Sequence, residues 1–179
     1  MKKEARGRIT IDGEPVVEID YKTLHPAILY AQAGAPLPAD CYAIDGWPRA
    51  LVKLALLVLI NAENWAAARF AIAHHNTMAA IATPDSQEAI AAAARLIADV
   101  KRVHSHIKWA FHADKGAELM RIDSHLAETV MHLMLRQGVV VLPVHDSFLV
   151  PASKAELLEE AMLKAAHEAG FMALQIAYA

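Results

Sequence analysis

The sequence predicts an α+β fold: a small antiparallel sheet built from two β-hairpins and a last strand, backed on one face by helices. Three observations carry that expectation. Val139 to Val150 reads as two apolar, β-forming arms meeting at a His145-Asp146-Ser147 tip. Arg8 to Ile19 reads as a second hairpin turning at Asp12-Gly13, a dipeptide that favours tight hairpin turns. Between the two lie long stretches rich in alanine and leucine, interrupted by proline, glycine and Asn/Asp/Ser clusters, that read as helices. At 179 residues the chain suits one domain with a sizeable core.

Taken in order, the first hairpin pairs Arg8–Ile11 with Val16–Ile19, with Glu14-Pro15 lengthening its loop. Asp20 then stands at a strand end, and Thr23 to Ala31 reads as a helix with Pro26 in its first turn, where a missing N–H is tolerated. A Pro/Gly-rich loop runs from Gly34 to Pro48. The helix from about Arg49 to Asn61 is apolar except for Arg49 and Lys53 at its start. Trp65 to Ala82 is helix-like, and a further helix restarts with an Asp85/Glu88 capping pattern. Its stripe of Ile90, Ala94, Ile97 and Val100 runs on toward Trp109 and Phe111. A helix over about Ile122–Gln137 turns Leu126, Val130, Leu133 and Met134 inward, and Gly138 ends it. Asp123 reads as its cap. After the His145-Asp146 hairpin, Ser153 with Glu156 caps a last helix reaching about Gly170, and Phe171–Tyr178 supplies one more strand.

Composition excludes several classes. The net charge of −3 gives no bulk attraction for nucleic acid, so any polymer-binding surface is local. Cys41 is the single cysteine, which rules out disulfides within the chain and cysteine-based zinc sites. The first residues lack the apolar stretch of a signal peptide, and the longest apolar run, Leu54 to Ile60, is too short to cross a bilayer. A reducing, cytoplasmic setting is the expectation.

The chemistry-bearing residues concentrate at strand ends. An ionisable pair between two apolar arms is a poor way to build a core, so His145 and Asp146 are candidates for function. If the strands carrying Asp20 and Asp146 are neighbours, the two carboxylates can hold a divalent metal between them. Arg49 and Lys53 lie four apart on one helical face, and cations in the first turns oppose the helix dipole. That arrangement is easier to understand if both reach for an anion.

This order of an acidic strand end, an Arg-x-x-x-Lys helix, a long helix and a Val-His-Asp hairpin resembles motifs A, B and C of right-handed nucleic-acid polymerases. Val144-His145-Asp146-Ser147-Phe148 is similar to motif C of the DNA polymerase I (family A) superfamily. The serine after the aspartate is closer to the single-subunit phage and mitochondrial RNA polymerases than to the DNA polymerases, which usually carry Glu there. Arg49-Ala50-Leu51-Val52-Lys53 has the spacing of the family A fingers helix. Asp20-Tyr21 opens like the family A Asp-Tyr-Ser, while Asp20 through Pro26 also resembles the family B pattern Asp-x-x-Ser-Leu-Tyr-Pro. The resemblance spans about Ile9 to Val150.

What it implies is a single palm-like domain with a small, fingers-like helical insertion at about 46–118 and a catalytic hairpin, performing template-directed, metal-dependent nucleotidyl transfer. Asp20 and Asp146 would hold Mg2+ or Mn2+. Arg49 and Lys53, with Tyr21 and His25, would meet the incoming nucleotide, His25 at the position that inspects the ribose 2′-hydroxyl, and His145 would lie near the primer terminus. The partners implied are a primer–template and nucleoside triphosphates, with DNA or RNA left open. Two features depart from the pattern. Asn61-Ala62 stands where family A carries an aromatic-Gly pair that stacks under the nascent base pair, and no thumb is apparent, so that part is absent or belongs to an N-terminal region of a longer protein or to a partner.

Two other readings follow from the same residues. One is a non-catalytic palm-fold relic or subunit that binds nucleic acid or a partner protein. The other is a metal-dependent phosphohydrolase using Asp20, His145 and Asp146. The remaining candidates read blandly: His74-His75 and His104-x-His106 as surface or helix-edge histidines, Trp47, Trp65 and Trp109 as core, and Arg95, Lys101, Arg102 and Lys108 as a solvated helix face. His125 and Glu128 are placed facing the cleft.

Overall fold

In a computed structural model, residues 6–179 are described. The chain is α+β and divides into two compact units. One comprises the chain up to Ile28 together with Leu119–Ala179; the other is the intervening stretch Leu29–Glu118.

The first unit holds the sheet. Its strands are β1 (Thr10–Ile11), β2 (Glu14–Tyr21), β3 (Leu142–Val144), β4 (Ser147–Pro151) and β5 (Ile176–Tyr178). They are antiparallel in the order β1-β2-β4-β3, and β5 pairs with the end of β2. Ile11 pairs with Glu14, so the first hairpin closes on Asp12-Gly13 alone, both with positive φ (52° and 82°). That is the mirror-image turn a two-residue hairpin favours. The longer loop expected at Glu14-Pro15 is therefore absent, because both residues already belong to β2.

Successive strand side chains point to opposite faces. Ile19 and Tyr21 of β2 and Phe148 and Val150 of β4 are buried, and helix α6 (Ala155–Glu168) packs against β2, β4 and β5. Leu158, Met162, Ala165 and Ala166 form its buried stripe. Burying a leucine or methionine side chain such as Leu158 or Met162 stabilises by about 1.5–3 kcal/mol. Ser153 does not cap α6. Its N–H and hydroxyl both donate to the Glu14 carboxylate (2.6 and 2.9 Å), tying the start of β2 to the end of β4.

Helices α1 (Leu24–Gln32) and α5 (Gly116–Arg136) each run across the boundary between units. The start of α5 falls six residues before the predicted one, which moves Asp123 from a cap into the helix interior.

The second unit is helical: α2 (Arg49–Asn61), α3 (Trp65–His74) and α4 (Gln87–Val103) pack on one another, with short 3-10 turns at Asn76–Ala80 and Ser105–Ala110. The helix expected to reach Ala82 stops at His74. A His75 ring nitrogen then accepts from Thr77 N–H (3.1 Å) and starts the 3-10 turn. The cap of α4 is Ser86, whose hydroxyl accepts from Ala89 N–H (3.0 Å), one residue beyond the expected Asp85.

The expected insertion began near 46, yet the Pro/Gly-rich loop before it belongs to this unit too. Trp47 Nε1 donates to Asp99 (3.0 Å), and His104, fully buried rather than at a surface, bonds Tyr30 Oη and the Cys41 carbonyl (both 2.9 Å). Trp65 and Trp109 lie outside the core at 43% and 45% exposure. The Arg69 guanidinium sits over the Trp65 ring and the Lys115 ammonium over the Trp109 ring.

Candidate functional site

The end of the sheet where β2 leaves and the β3–β4 hairpin turns gathers the ionisable residues. Val144 pairs with Ser147, so His145-Asp146 is the whole hairpin loop. His145 has φ +55°. A two-residue turn demands positive φ, a conformation that glycine adopts freely and other residues adopt at a cost. Across the ladder Asp20 is the register partner of Ser147, and the Tyr21 N–H donates to the Asp146 carbonyl (3.1 Å). Asp20 on β2 thus lies one residue out of register with Asp146 in the hairpin loop before β4.

Just beyond β2, Thr23 has φ +47° and its carbonyl accepts from Ala27 N–H (3.0 Å) at the start of α1. Positive φ in a β-branched residue is a true outlier. The turn brings half-buried His25 to the same end of the sheet.

Asp123 completes the group. Burial is the largest influence on its carboxyl and raises its pKa above the ordinary range; His25 acts against that rise, the Asp146 carboxylate adds to it, and His145 opposes it. Three sequence-predicted residues, His25, His145 and Asp146, therefore influence the charge of a fourth that sequence reasoning placed as a cap. A signal was present. Leu119, Leu126, Val130 and Met134 are buried on α5, and Asp123, four after Leu119 and three before Leu126, falls on that same inward stripe. His125 and Glu128, predicted to face the cleft, are exposed.

Tyr21 goes the other way. Alternation along β2 turns it from the Asp20 face into the core, where its hydroxyl donates to the Met162 carbonyl (2.6 Å) and its ring meets Phe148 edge-on (6.4 Å between centroids). Burial first, and the Asp123 carboxylate second, push its phenol pKa up, so it stays protonated. The expected nucleotide contact gives way to a packing role.

Ser147, after the hairpin aspartate, is 5% exposed and points to the side of β2 that carries Glu18. Its single proton is shared between Glu18 Oε1 (2.7 Å) and the Val144 carbonyl (2.9 Å).

In the helical unit, Arg49 and Lys53 do share a face, with Tyr42 beneath both: the guanidinium lies 4.9 Å and the ammonium 5.9 Å from the ring centroid. The anion Arg49 reaches is Asp40, through Nε (2.9 Å) and Nη2 (3.3 Å). That hydrogen bonding is the main reason the Asp40 carboxyl is held below its usual range.

Among the described residues no three His, Cys, Asp or Glu side chains are gathered as a metal-holding group. Asp20 and Asp146, the two residues expected to hold a metal, are brought to the same end of the sheet by the β2–β4 pairing and the Tyr21–Asp146 backbone bond. No described helix is long and apolar enough to cross a membrane. No protein-family profile matches the chain, and no curated protein sequence matches it.

Proposed function

We propose that the chain is a palm-like module for template-directed, metal-dependent nucleotidyl transfer, in which a primer 3′-hydroxyl attacks the α-phosphorus of a nucleoside triphosphate and pyrophosphate leaves. The observation that carries this reading is the pairing of β2 with β4, which sets Asp20 beside the Asp146 hairpin through the Tyr21–Asp146 backbone bond. A carboxylate at the end of a strand and one in the neighbouring hairpin loop would suit a Mg2+ or Mn2+ ion whose other ligands are triphosphate oxygens. When bound, such an ion acidifies the attacking hydroxyl and neutralises charge on the phosphates. His145, exposed at the turn, is available to a primer end, and His25 to a sugar. Within the helical unit, Arg49 and Lys53 present two cations on one face to a phosphate, Arg49 by exchanging Asp40 for it.

The test is extension of a labelled primer on a DNA or RNA template with dNTPs or rNTPs and Mg2+ or Mn2+, run beside Asp146→Asn. Template-dependent extension that falls at least about 100-fold in the variant supports the reading. A folded wild-type chain that extends no primer under any of these conditions sinks it.

A second reading, a palm-fold subunit without catalysis, is favoured by the Arg49–Asp40 pair, since the cation assigned to phosphate already has a carboxylate partner. Primer–template binding without extension would decide for it.

A further inference from the structure

On the Asp20 face of the sheet, three polar side chains form a chain of contacts directed at the hairpin tip. Arg6 Nε and Nη2 each lie 2.9 Å from the Glu18 carboxylate, and Glu18 Oε1 accepts from the Ser147 hydroxyl at 2.7 Å. Both members of the ion pair are largely withdrawn from water, with side chains 17% and 11% exposed. Glu18 is two residues before Asp20, and Ser147 directly follows Asp146. Ser147 also reaches the Val144 carbonyl, so it closes the turn from inside. A charged pair at this depth is a poor source of stability by itself, because desolvation offsets much of its attraction. Its geometric effect is to fix both flanks of the acidic pair.

We propose that Arg6, Glu18 and Ser147 are positioning residues that set the hairpin turn, and with it the direction of the Asp146 carboxylate relative to Asp20. The catalytic half of this inference rests on the nucleotidyl-transfer reading; the structural half does not. Arg6 orients the Glu18 carboxylate, Glu18 takes the larger share of the Ser147 proton, and the serine holds the His145-Asp146 loop despite the unfavourable φ at His145. Reaction geometry tolerates little displacement, since misplacing a group by about 1 Å lowers turnover about 100-fold.

The test compares the wild type with Ser147→Ala, Ser147→Thr, Glu18→Gln and the Ser147→Ala/Glu18→Gln double variant. Hydrogen exchange along the whole chain and steady-state extension kinetics are the two readouts. Exchange in residues 144–147 should accelerate about 10-fold or more in Ser147→Ala and Glu18→Gln, with the rest of the sheet unchanged. kcat should fall about 10-fold with nucleotide KM nearly constant. Ser147→Thr, which keeps the hydroxyl, should restore both readouts, and the double variant should be no worse than the poorer single one. Unchanged exchange at the tip, or acceleration spread evenly over the sheet, overturns the proposal. If wild type extends no primer, the polymerase reading fails while the exchange data still decide the relay. Should Glu18→Gln fail to fold, Ser147→Ala alone carries the decision.

Discussion

Tyr21→Phe separates the two roles open to a tyrosine next to a site aspartate. The substitution deletes one hydroxyl and leaves the ring. Its edge-on contact with Phe148, at 6.4 Å between centroids, survives, so no cavity forms and the hydrophobic term is unchanged. What is lost is the 2.6 Å bond from the phenol to the Met162 carbonyl. Met162 lies inside α6, whose own ladder continues to occupy that carbonyl, so the loss is that of a buried neutral hydrogen bond, about 1 kcal/mol. For a chain of this size that corresponds to a Tm lower by about 2–4 °C. The assays are thermal and urea unfolding together with nucleotide KM in primer extension. The variant should lose that stability with KM unchanged. A KM raised several-fold at undiminished stability would refute the core assignment and return Tyr21 to the nucleotide site.

Three further outcomes are expected. His145→Gly removes an unfavourable φ of +55° and should leave stability unchanged or raise it by up to about 1 kcal/mol, once the greater freedom of the unfolded glycine is counted, while extension falls; a loss of stability in denaturant titrations would contradict the strain argument. Asp123→Asn removes a carboxylate whose pKa burial raises, so the variant should be more stable than wild type at neutral pH. That gain should shrink as pH falls through the raised pKa toward the ordinary value of 3.8, where both states hold the proton, and a gain that persists in acid would rule out the assignment. His104 has a lowered pKa, chiefly from burial and against the opposing bond to the Cys41 carbonyl. Its neutral form is therefore the folded one. Its contribution should be complete above the ordinary value of 6.5 and diminish as pH falls below it, while Tyr30→Phe, which strips the donor from Nδ1, should cost about 1–3 kcal/mol at pH 7.5. An imidazole NMR titration at an ordinary pKa would contradict this.

The sheet was legible because its hairpins are written in local chemistry: Asp12-Gly13 supplies two positive φ values, and an apolar run on each side of His145-Asp146 leaves only those two residues for a turn. Asp20 was legible as the last acidic residue of an alternating strand. Alternation was also enough to turn Tyr21 inward, and the motif resemblance outweighed it. Features that depend on distant partners were harder to see. Glu14 takes Ser153 away from a cap across 139 residues of sequence, and no local signal announces such a pairing. His104, read as a surface or helix-edge histidine, does stand at the end of α4, but its burial was not legible because its partners, Tyr30 and the Cys41 carbonyl, lie 74 and 63 residues earlier. The outward rings of Trp65 and Trp109 run against composition, with Arg69 and Lys115 over them instead of apolar neighbours.

His104 in the helical unit and the hairpin end of the sheet unit hold their polar groups in opposite ways, although the helical unit also has positive φ at Asp85, His112 and Asp114 and a His112 imidazole whose charged form burial disfavours. In the helical unit, buried His104 has a partner on each ring nitrogen, and burial with the nearby Cys41 pushes the Tyr30 phenol up to about 12. That arrangement serves the fold. At the hairpin end the features work against stability: positive φ at Thr23 and His145, and an Asp123 carboxylate disfavoured by burial and by Asp146. Local departures of this kind concentrate where a chain is shaped for function. The trade can be read directly. If His145→Gly and Asp123→Asn gain stability and lose extension together, the strain maintains chemistry. If they gain stability and nucleic-acid binding is untouched in a chain that extends no primer, the palm is a scaffold and the charged end has no catalytic task.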